Sequence, residues 1–125
     1  MIHLIIDGRL GNREKLYDVN IVKTLLKVLP EKLVMKPICN PEIVDYKADI
    51  KEEDGVSGFV MIAESHISVH TYPEMGKVYF DIFSCKGFDM DNCIEYIKKA
   101  FELRDIKKYI VERGFKNEKS QRLFN

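Results

Sequence analysis

The chain has 125 residues, a length that suits one domain built around one core. Lysine plus arginine and aspartate plus glutamate both count 20, so the formal net charge is zero, which argues against a protein that binds nucleic acid through its net charge. No apolar run approaches the ~20 residues that span a bilayer, and the opening MIHLIIDG has no basic region or cleavage motif of a secretion signal.

The first half of the chain predicts a strand, a helix and a second strand. The apolar, β-rich run at 2–7 is typical of a strand. The run at 20–30 places its apolar residues on one helical face, and Pro30 predicts the end of that helix. The segment 32–41 is interpreted as a strand interrupted by a proline, and the charged segment 45–54 as an exposed segment and turn.

The second half predicts two hairpins, a helix and a last strand. In chain order these are strands at 56–64 and 65–72, a turn at 73–77, a strand at 78–85, an amphipathic helix from Asp89 to Asp105, a strand at 106–114 and a polar, disordered tail at 115–125. The order β-α-β-β-β-β-α-β predicts an α+β fold. We expect a single domain, a two-layer sandwich of a mainly antiparallel sheet with two helices on one face.

The cysteines indicate the compartment. Cys39, Cys85 and Cys93 are odd in number and have neither paired nor zinc-type spacing. This pattern is typical of free thiols in a reducing compartment. We therefore expect a cytoplasmic protein. The balanced charge and the lack of a membrane-spanning run predict that it binds neither nucleic acid nor membrane.

The stretch 63–74, AESHISVHTYPE, carries more polar side chains than a core strand usually does. His66 and His70 have the spacing of two metal ligands on a helix, but their neighbours favour a strand. On a strand they lie ~13 Å apart and cannot share one ion within a chain. A hydrolase with Ser65 as nucleophile and His70 as base lacks a GxSxG elbow. A half-buried strand with its polar side chains facing water is the plain alternative.

Pairing of the strands 65–72 and 78–85 around Met75 would place Ser65 opposite Cys85. Their Cβ atoms would lie ~5 Å apart, provided that the register does not slip by one residue. His70 lies ~16 Å further along the same strand. If Ser65 needs His70, the histidine must come from a second copy, and a two-fold dimer would then hold two shared sites.

The run at 55–85, GVSGFVMIAESHISVHTYPEMGKVYFDIFSC, resembles the core of bacterial and archaeal S-adenosylmethionine decarboxylase proenzymes. That family reads GVSG, AESH, HTWPE and D-(apolar)-FTC in this order. The run is about a quarter of the chain, and the size and element order of the remainder also fit the family.

The resemblance implies a proenzyme that cuts itself between Glu64 and Ser65, giving a β chain of residues 1–64 and an α chain of residues 65–125. Ser65 would attack the carbonyl of Glu64, turning the peptide bond into an ester, and β-elimination would leave Ser65 as an N-terminal pyruvoyl group. This covalent cofactor would be the electron sink for the carbanion that forms when an amino acid loses CO2, as pyridoxal phosphate is elsewhere. Neither a metal nor pyridoxal phosphate is then expected.

The resemblance also implies roles for individual side chains. His70 matches the histidine that takes the α-proton of the processed serine, and Ser57 matches a serine that assists processing and lines the site. Cys85 matches the cysteine that returns a proton to the substrate carbon, a role that suits a thiol titrating near ~8.5. Glu74 matches the glutamate that holds the ribose hydroxyls of the nucleoside. The family places these sites at the interface of a homodimer.

Two departures from the family pattern concern the substrate. Lys51 stands where the family often has an aromatic that stacks on adenine, and Tyr72 replaces the tryptophan of HTWPE at a position expected to contact the substrate. S-adenosylmethionine is the predicted substrate, and its decarboxylated product would donate aminopropyl groups for spermidine synthesis.

Two alternatives to this substrate and activity stay open. The acidic residues at 52–54 would complement the charge of ornithine or arginine, so the same pyruvoyl chemistry on one of these amino acids is a second hypothesis. They could equally form a solvated turn. A non-catalytic regulatory subunit is a third hypothesis, and it would be expected to lack the Glu-Ser bond or the processing histidine.

Overall fold

The computed structural model describes residues 1–115. Within them lie β1 (Ile2–Arg9), α1 (Arg13–Tyr17), α2 (Val19–Lys32), β2 (Glu42–Tyr46), β3 (Gly55–Ile62), β4 (Ser65–Tyr72), β5 (Lys77–Ser84), α3 (Met90–Phe101) and β6 (Asp105–Glu112). Short 3-10 helices occupy Lys51–Glu53 and Pro73–Met75. The polar tail predicted for 115–125 lies, beyond Phe115, outside the described residues.

The strands form one antiparallel sheet in the order β2-β3-β4-β5-β1-β6. Alternate side chains of the inner strands are buried against the helices, as Ile67 and Val69 of β4 are. The helices cover this one face and share a continuous apolar core with it. The predicted α+β sandwich is confirmed, and it carries a third, five-residue helix, α1, that was not predicted.

The two long helices follow from their apolar spacing and their caps. In α2, Val22, Leu25 and Leu29 lie on one buried face. The Asp18 carboxylate begins α2 by accepting a hydrogen bond from the backbone N–H of Asn20, and Asp89 caps α3 in the same way. Each cap satisfies one backbone N–H group that the first turn of its helix leaves without a partner within the helix.

The predicted end of α2 at Pro30 was wrong, since the helix continues to Lys32. A proline inside a helix costs one backbone hydrogen bond and a clash with the preceding turn. Here Pro30 lies in the last turn and its ring is buried in the core, which offsets that cost.

The strand predicted at 32–41 was also wrong. That segment makes only an isolated bridge between Pro37 and Ile62, because proline cannot donate to a strand ladder. The strand lies instead at β2, which follows that segment and overlaps the predicted exposed turn at 45–54 only in its last two residues. β2 is an edge strand whose side chains are mostly exposed, so it lacks the alternation of apolar and polar residues by which a half-buried strand is recognised.

Within residues 1–115, the other sheet face carries no helix, and we call it the open face. It presents polar side chains at its centre and large apolar side chains that are 39–59% exposed: Val44, Tyr46, Phe59, Met61, Tyr79, Tyr109 and Val111. Among the described residues, no helix is long and apolar enough to cross a membrane. Of the catalytic residues predicted from the sequence, Ser57 and His70 lie on this face, whereas Ser65 stands at the end of β4 in line with the buried Ile67.

Candidate active site

The bond between Glu64 and Ser65 lies at the end of a tight turn. β3 and β4 are joined by two residues, Ala63 and Glu64, and Ile62 pairs directly with Ser65. Glu64 has a φ of 63°, in the left-handed region, which costs a residue with a side chain about 1–2 kcal/mol. The residue whose carbonyl was predicted to be attacked is therefore held in an unfavourable conformation.

Ser65 and Cys85 lie together beside this turn, although the predicted register was wrong by one residue. His66 pairs with Phe83 rather than with Ser84, because the four-residue loop 73–76 ends at Gly76 in the left-handed conformation. Cys85 nevertheless follows β5 directly, and its backbone N–H donates to Ser65 Oγ at 3.3 Å.

These residues surround a cavity. Glu64, Ser65 and Cys85, which we call the cleavage group, line a space of about 260 Å³ together with Lys36 and Lys86. Cys85 is a free, half-buried thiol. The cavity therefore brings a hydroxyl, a thiol and two ammonium side chains to one end of β4.

Ser57 and His70 form a second pair at the other end of β4. They are directly opposed on β3 and β4, and Ser57 Oγ lies 2.8 Å from His70 Nδ1. Ser57 also lines a cavity of about 270 Å³ with Tyr46, Glu53 and Tyr72. We call Ser57, His70 and Tyr72 the histidine group.

Glu74 is held at the same end of the sheet by helix α1. Its Oε2 accepts a hydrogen bond from the Tyr17 hydroxyl at 2.6 Å and lies 2.6 Å from Arg13 Nη2. The Tyr17 hydrogen bond, and then the Arg13 one, hold the pKa of Glu74 below its ordinary value. The same carboxylate raises the pKa of Tyr17 to about 12. Glu74 is therefore a positioned anion.

One chain does not bring the two groups together. Ser65 and His70 are five residues apart on the straight strand β4, a separation of ~16 Å at ~3.3 Å per residue. A histidine must lie within hydrogen-bond reach of the proton it takes. His70 cannot act on Ser65 of its own chain in this arrangement.

Comparison with known proteins identifies the family. The family model described as S-adenosylmethionine decarboxylase matches residues 2–114. The chain belongs to the S-adenosylmethionine decarboxylase family. The resemblance found in the sequence and the prediction of a decarboxylase of this family are thereby confirmed.

Relatives and a solved structure agree with that membership. The S-adenosylmethionine decarboxylase proenzyme of Thermodesulfovibrio yellowstonii is 31% identical over 122 residues, which cover 97% of this chain and 86% of the relative. The proenzyme of Thermotoga maritima is 44% identical over 62 residues, covering 48% of this chain and 47% of the relative. The crystal structure of adenosylmethionine decarboxylase from Aquifex aeolicus has a TM-score of 0.78 at 24% identity, covering 94% of this chain and 92% of that one. This likeness confirms the fold.

Sequence reasoning missed several side chains beside the histidine group of this decarboxylase. Tyr46 and Glu53 line its cavity, and Arg13 and Tyr17 hold Glu74. The only signal at Tyr46 was a lone aromatic in a charged segment. Tyr46 of β2 therefore places an aromatic ring in the cavity that Glu53 also lines.

Proposed function

We propose that this chain cuts its own Glu64–Ser65 bond, carries a pyruvoyl group made from Ser65, and decarboxylates S-adenosylmethionine. The observation that carries the proposal is the strained Glu64 turn with the Ser65 hydroxyl beside Cys85. The relatives named proenzymes support a chain that is processed after synthesis.

Self-cleavage needs one nucleophile and one base. Ser65 Oγ attacks the carbonyl carbon of Glu64, the C–N bond breaks, and the chain becomes an ester with a free Ser65 amine. His70 then takes the Ser65 α-proton, and the ester oxygen leaves with residues 1–64 as the Glu64 carboxylate. Water replaces the nitrogen of the remaining enamine, which is lost as ammonia, and residues 65–125 begin with a ketone. Left-handed strain at Glu64 favours the first step because the turn relaxes when the bond is cut.

Decarboxylation then uses Cys85 beside the same serine, together with substrate-holding residues that a second copy brings from the other end of β4. The pyruvoyl group supplies an electron sink for the carbanion. The Cys85 thiol, beside Ser65, donates a proton to the substrate carbon after CO2 has left. The ionised Glu74 accepts hydrogen bonds from the ribose hydroxyls. Tyr46 and Tyr72 offer aromatic faces to the adenine ring and to the sulfonium cation.

The active unit in this proposal is a homodimer with shared sites. His70 lies ~16 Å from Ser65 along β4, so the base must come from a second copy. The large apolar side chains exposed on the open face support it as the surface on which the copies meet, since extensive exposed apolar area marks interaction sites. A two-fold axis through that face would place the histidine group of one copy against the cleavage group of the other, twice.

The setting and product follow from this chemistry. The thiols Cys39, Cys85 and Cys93 are all free, which supports a reducing, cytoplasmic location. The product, decarboxylated S-adenosylmethionine, is an aminopropyl donor for spermidine synthesis. The proposed reaction uses neither a metal nor pyridoxal phosphate.

One observation favours a second substrate. The Glu53 carboxylate lines the cavity beside Ser57 and Tyr72, where an anion would attract the second ammonium group of ornithine or the guanidinium group of arginine. The chemistry at Ser65 and Cys85 would be unchanged.

The deciding experiment is intact-mass spectrometry of the denatured protein, followed by CO2 release from S-adenosylmethionine, ornithine and arginine. We expect fragments of residues 1–64 and 65–125, the second with the mass of a pyruvoyl terminus, and release from S-adenosylmethionine. Release only from a basic amino acid would establish the second substrate. A single full-length mass that persists on long incubation would overturn the proposal in favour of a non-catalytic relative.

A further inference from the structure

The centre of the open face holds a cluster of side chains that the decarboxylation proposal does not use. β5 lies between β4 and β1, and both His66 and His3 pair with Phe83 across its two sides. Asp81 is two residues from Phe83 on the same strand, so its side chain points to the same face. Three neighbouring strands thus bring two imidazole rings and one carboxylate close together.

The ligating atoms of this cluster are close to one another. His3 Nε2 lies 2.6 Å from Asp81 Oδ2, and His66 Nε2 lies 3.8 Å from the same oxygen. One ligand atom from each of the three residues lies within 4.8 Å of the other two. The ligand atoms around a tetrahedral ion with bonds of ~2.0–2.1 Å are ~3.3 Å apart. The observed distances of 2.6 Å and 3.8 Å lie on either side of that spacing.

The cluster is also held by a further hydrogen bond, and two of its three side chains are partly buried. The Ser68 hydroxyl donates to Asp81 Oδ1, the oxygen that does not face the histidines, and so fixes the carboxylate. The side chains of His3 and Asp81 are only 20% and 24% exposed, while that of His66 is 43% exposed. This leaves an approach on the His66 side.

We propose that His3, His66 and Asp81 bind a divalent first-row transition-metal ion of the Zn²⁺ type. Imidazole nitrogen suits Zn²⁺, Ni²⁺ and Cu²⁺, whereas Mg²⁺ and Ca²⁺ require oxygen ligands. The ion replaces the direct contact between His3 and Asp81 and takes its fourth ligand from solvent or from a second copy on the open face. Neither self-cleavage nor decarboxylation forms part of this inference.

The test is a titration of the full-length, metal-free protein with Zn²⁺ alone, in competition with a chromophoric chelator. We expect one ion per chain. Asp81→Asn and His66→Gln each remove a ligand and should weaken affinity by more than the 10–100-fold that the loss of a second-shell partner costs, whereas Ser68→Ala should cost ~10-fold. Circular dichroism establishes which variants are folded, and His3→Gln replaces either ligand variant that is not.

Control variants separate this site from other metal-binding side chains. His70→Gln, Cys39→Ser and Cys85→Ser should leave the Zn²⁺ affinity unchanged. Equal affinity in wild type and the ligand variants, or a dependence on Cys85 or His70, would overturn the proposal. So would the absence of 1:1 binding, which would leave His3 and Asp81 as an ion pair only. Since the readout is affinity, the result does not depend on whether the chain cuts itself, and Ser65→Ala should bind Zn²⁺ like wild type.

Discussion

At the scale of single residues, the proposed chemistry centres on the backbone of Glu64 and the hydroxyl of Ser65. The Glu-Ser bond could be recognised from the sequence, but its strain could not, because φ depends on how β3 turns into β4. For Cys85, by contrast, the contact was predicted from the sequence although the strand register behind it was not correct. Its partner was predicted from a register that was wrong by one residue, yet its backbone N–H still reaches Ser65 Oγ.

Ser65→Ala should abolish cleavage completely, because no hydroxyl remains to attack the carbonyl of Glu64. The measurement is the intact mass after prolonged incubation, where only the full-length species should be present. Ser68→Ala, a change of the same kind three residues along β4, is the matched control and should cleave like wild type. Cleavage in Ser65→Ala would show that another group is the nucleophile.

Cys85→Ala should affect turnover far more than processing. The loss of a positioned general acid typically lowers kcat by ~10²–10⁴-fold, while the hydrogen bond to Ser65 comes from the Cys85 backbone and survives the substitution. The rate of CO2 release and the cleaved fraction are measured on the same preparation. Cys39→Ser, at another free half-buried thiol, is the control; equal turnover in Cys85→Ala and wild type would remove Cys85 from the mechanism.

At the scale of elements, α1 and the 3-10 helix Pro73–Met75 depend on each other. α1 has only five residues, too few for a helical repeat to be read in the sequence. It is capped by Asn12, whose side chain accepts from the backbone N–H of Lys15, and joined to the 3-10 helix by the contacts of Tyr17 and Arg13 with Glu74. Such a short helix gains its stability from its tertiary contacts rather than from its own propensity.

The Glu74 contacts predict a specific pH dependence of stability. The folded pKa of Glu74 is lowered, chiefly by the Tyr17 hydrogen bond, so its contribution is present above the ordinary glutamate pKa of about 4.3 and is lost as pH falls through the lower folded pKa. Glu74→Gln should therefore have a lower Tm than wild type near neutral pH, and the difference should shrink in acid.

Thermal unfolding of the two proteins across this acid range measures that dependence. The exposed Glu14 on the same helix provides the control, since Glu14→Gln should give no such pH-dependent difference. A Tm difference between Glu74→Gln and wild type that stays constant into strong acid would contradict a stabilising role of the ionised Glu74. It would show an effect of the side chain unrelated to its charge.

At the scale of the whole molecule, the two groups of residues at opposite ends of β4 are the basis for proposing that one copy is insufficient. Strands are nearly straight over eight residues, so no rearrangement of side chains closes a gap of ~16 Å. The open face, with its exposed apolar rings, is the broad surface available to a second copy.

Mixing two inactive variants tests the shared site directly. Ser65→Ala keeps the base, and His70→Ala keeps the nucleophile, so a mixed dimer has one complete site. When the two chains are co-expressed in equal amounts, random pairing should let about half of the His70→Ala chains cut themselves, while neither variant alone is cleaved. Mass spectrometry distinguishes the fragments. If mixed dimers form but no cleavage occurs, Ser65 and His70 must act within one chain, which would contradict the shared site.

The sequence by itself determined the fold class and the family, and it predicted which side chains are reactive. The reason is that apolar periodicity records which face of each strand or helix is buried, and the motif at 55–85 records the chemistry as residue types in order. These are local properties of the chain, so they can be read without knowing what packs against what.

Only the tertiary structure decided the registers, the edge strand and the meeting of distant side chains. The position of β2 depends on pairing with β3 rather than on its own composition, and the loop at Gly76 sets the register of β4 on β5. His3 and Asp81 lie 78 residues apart in the chain, and no spacing rule connects them. Their contact arises because β1 and β5 became neighbours in the sheet, which reflects the packing of the whole chain.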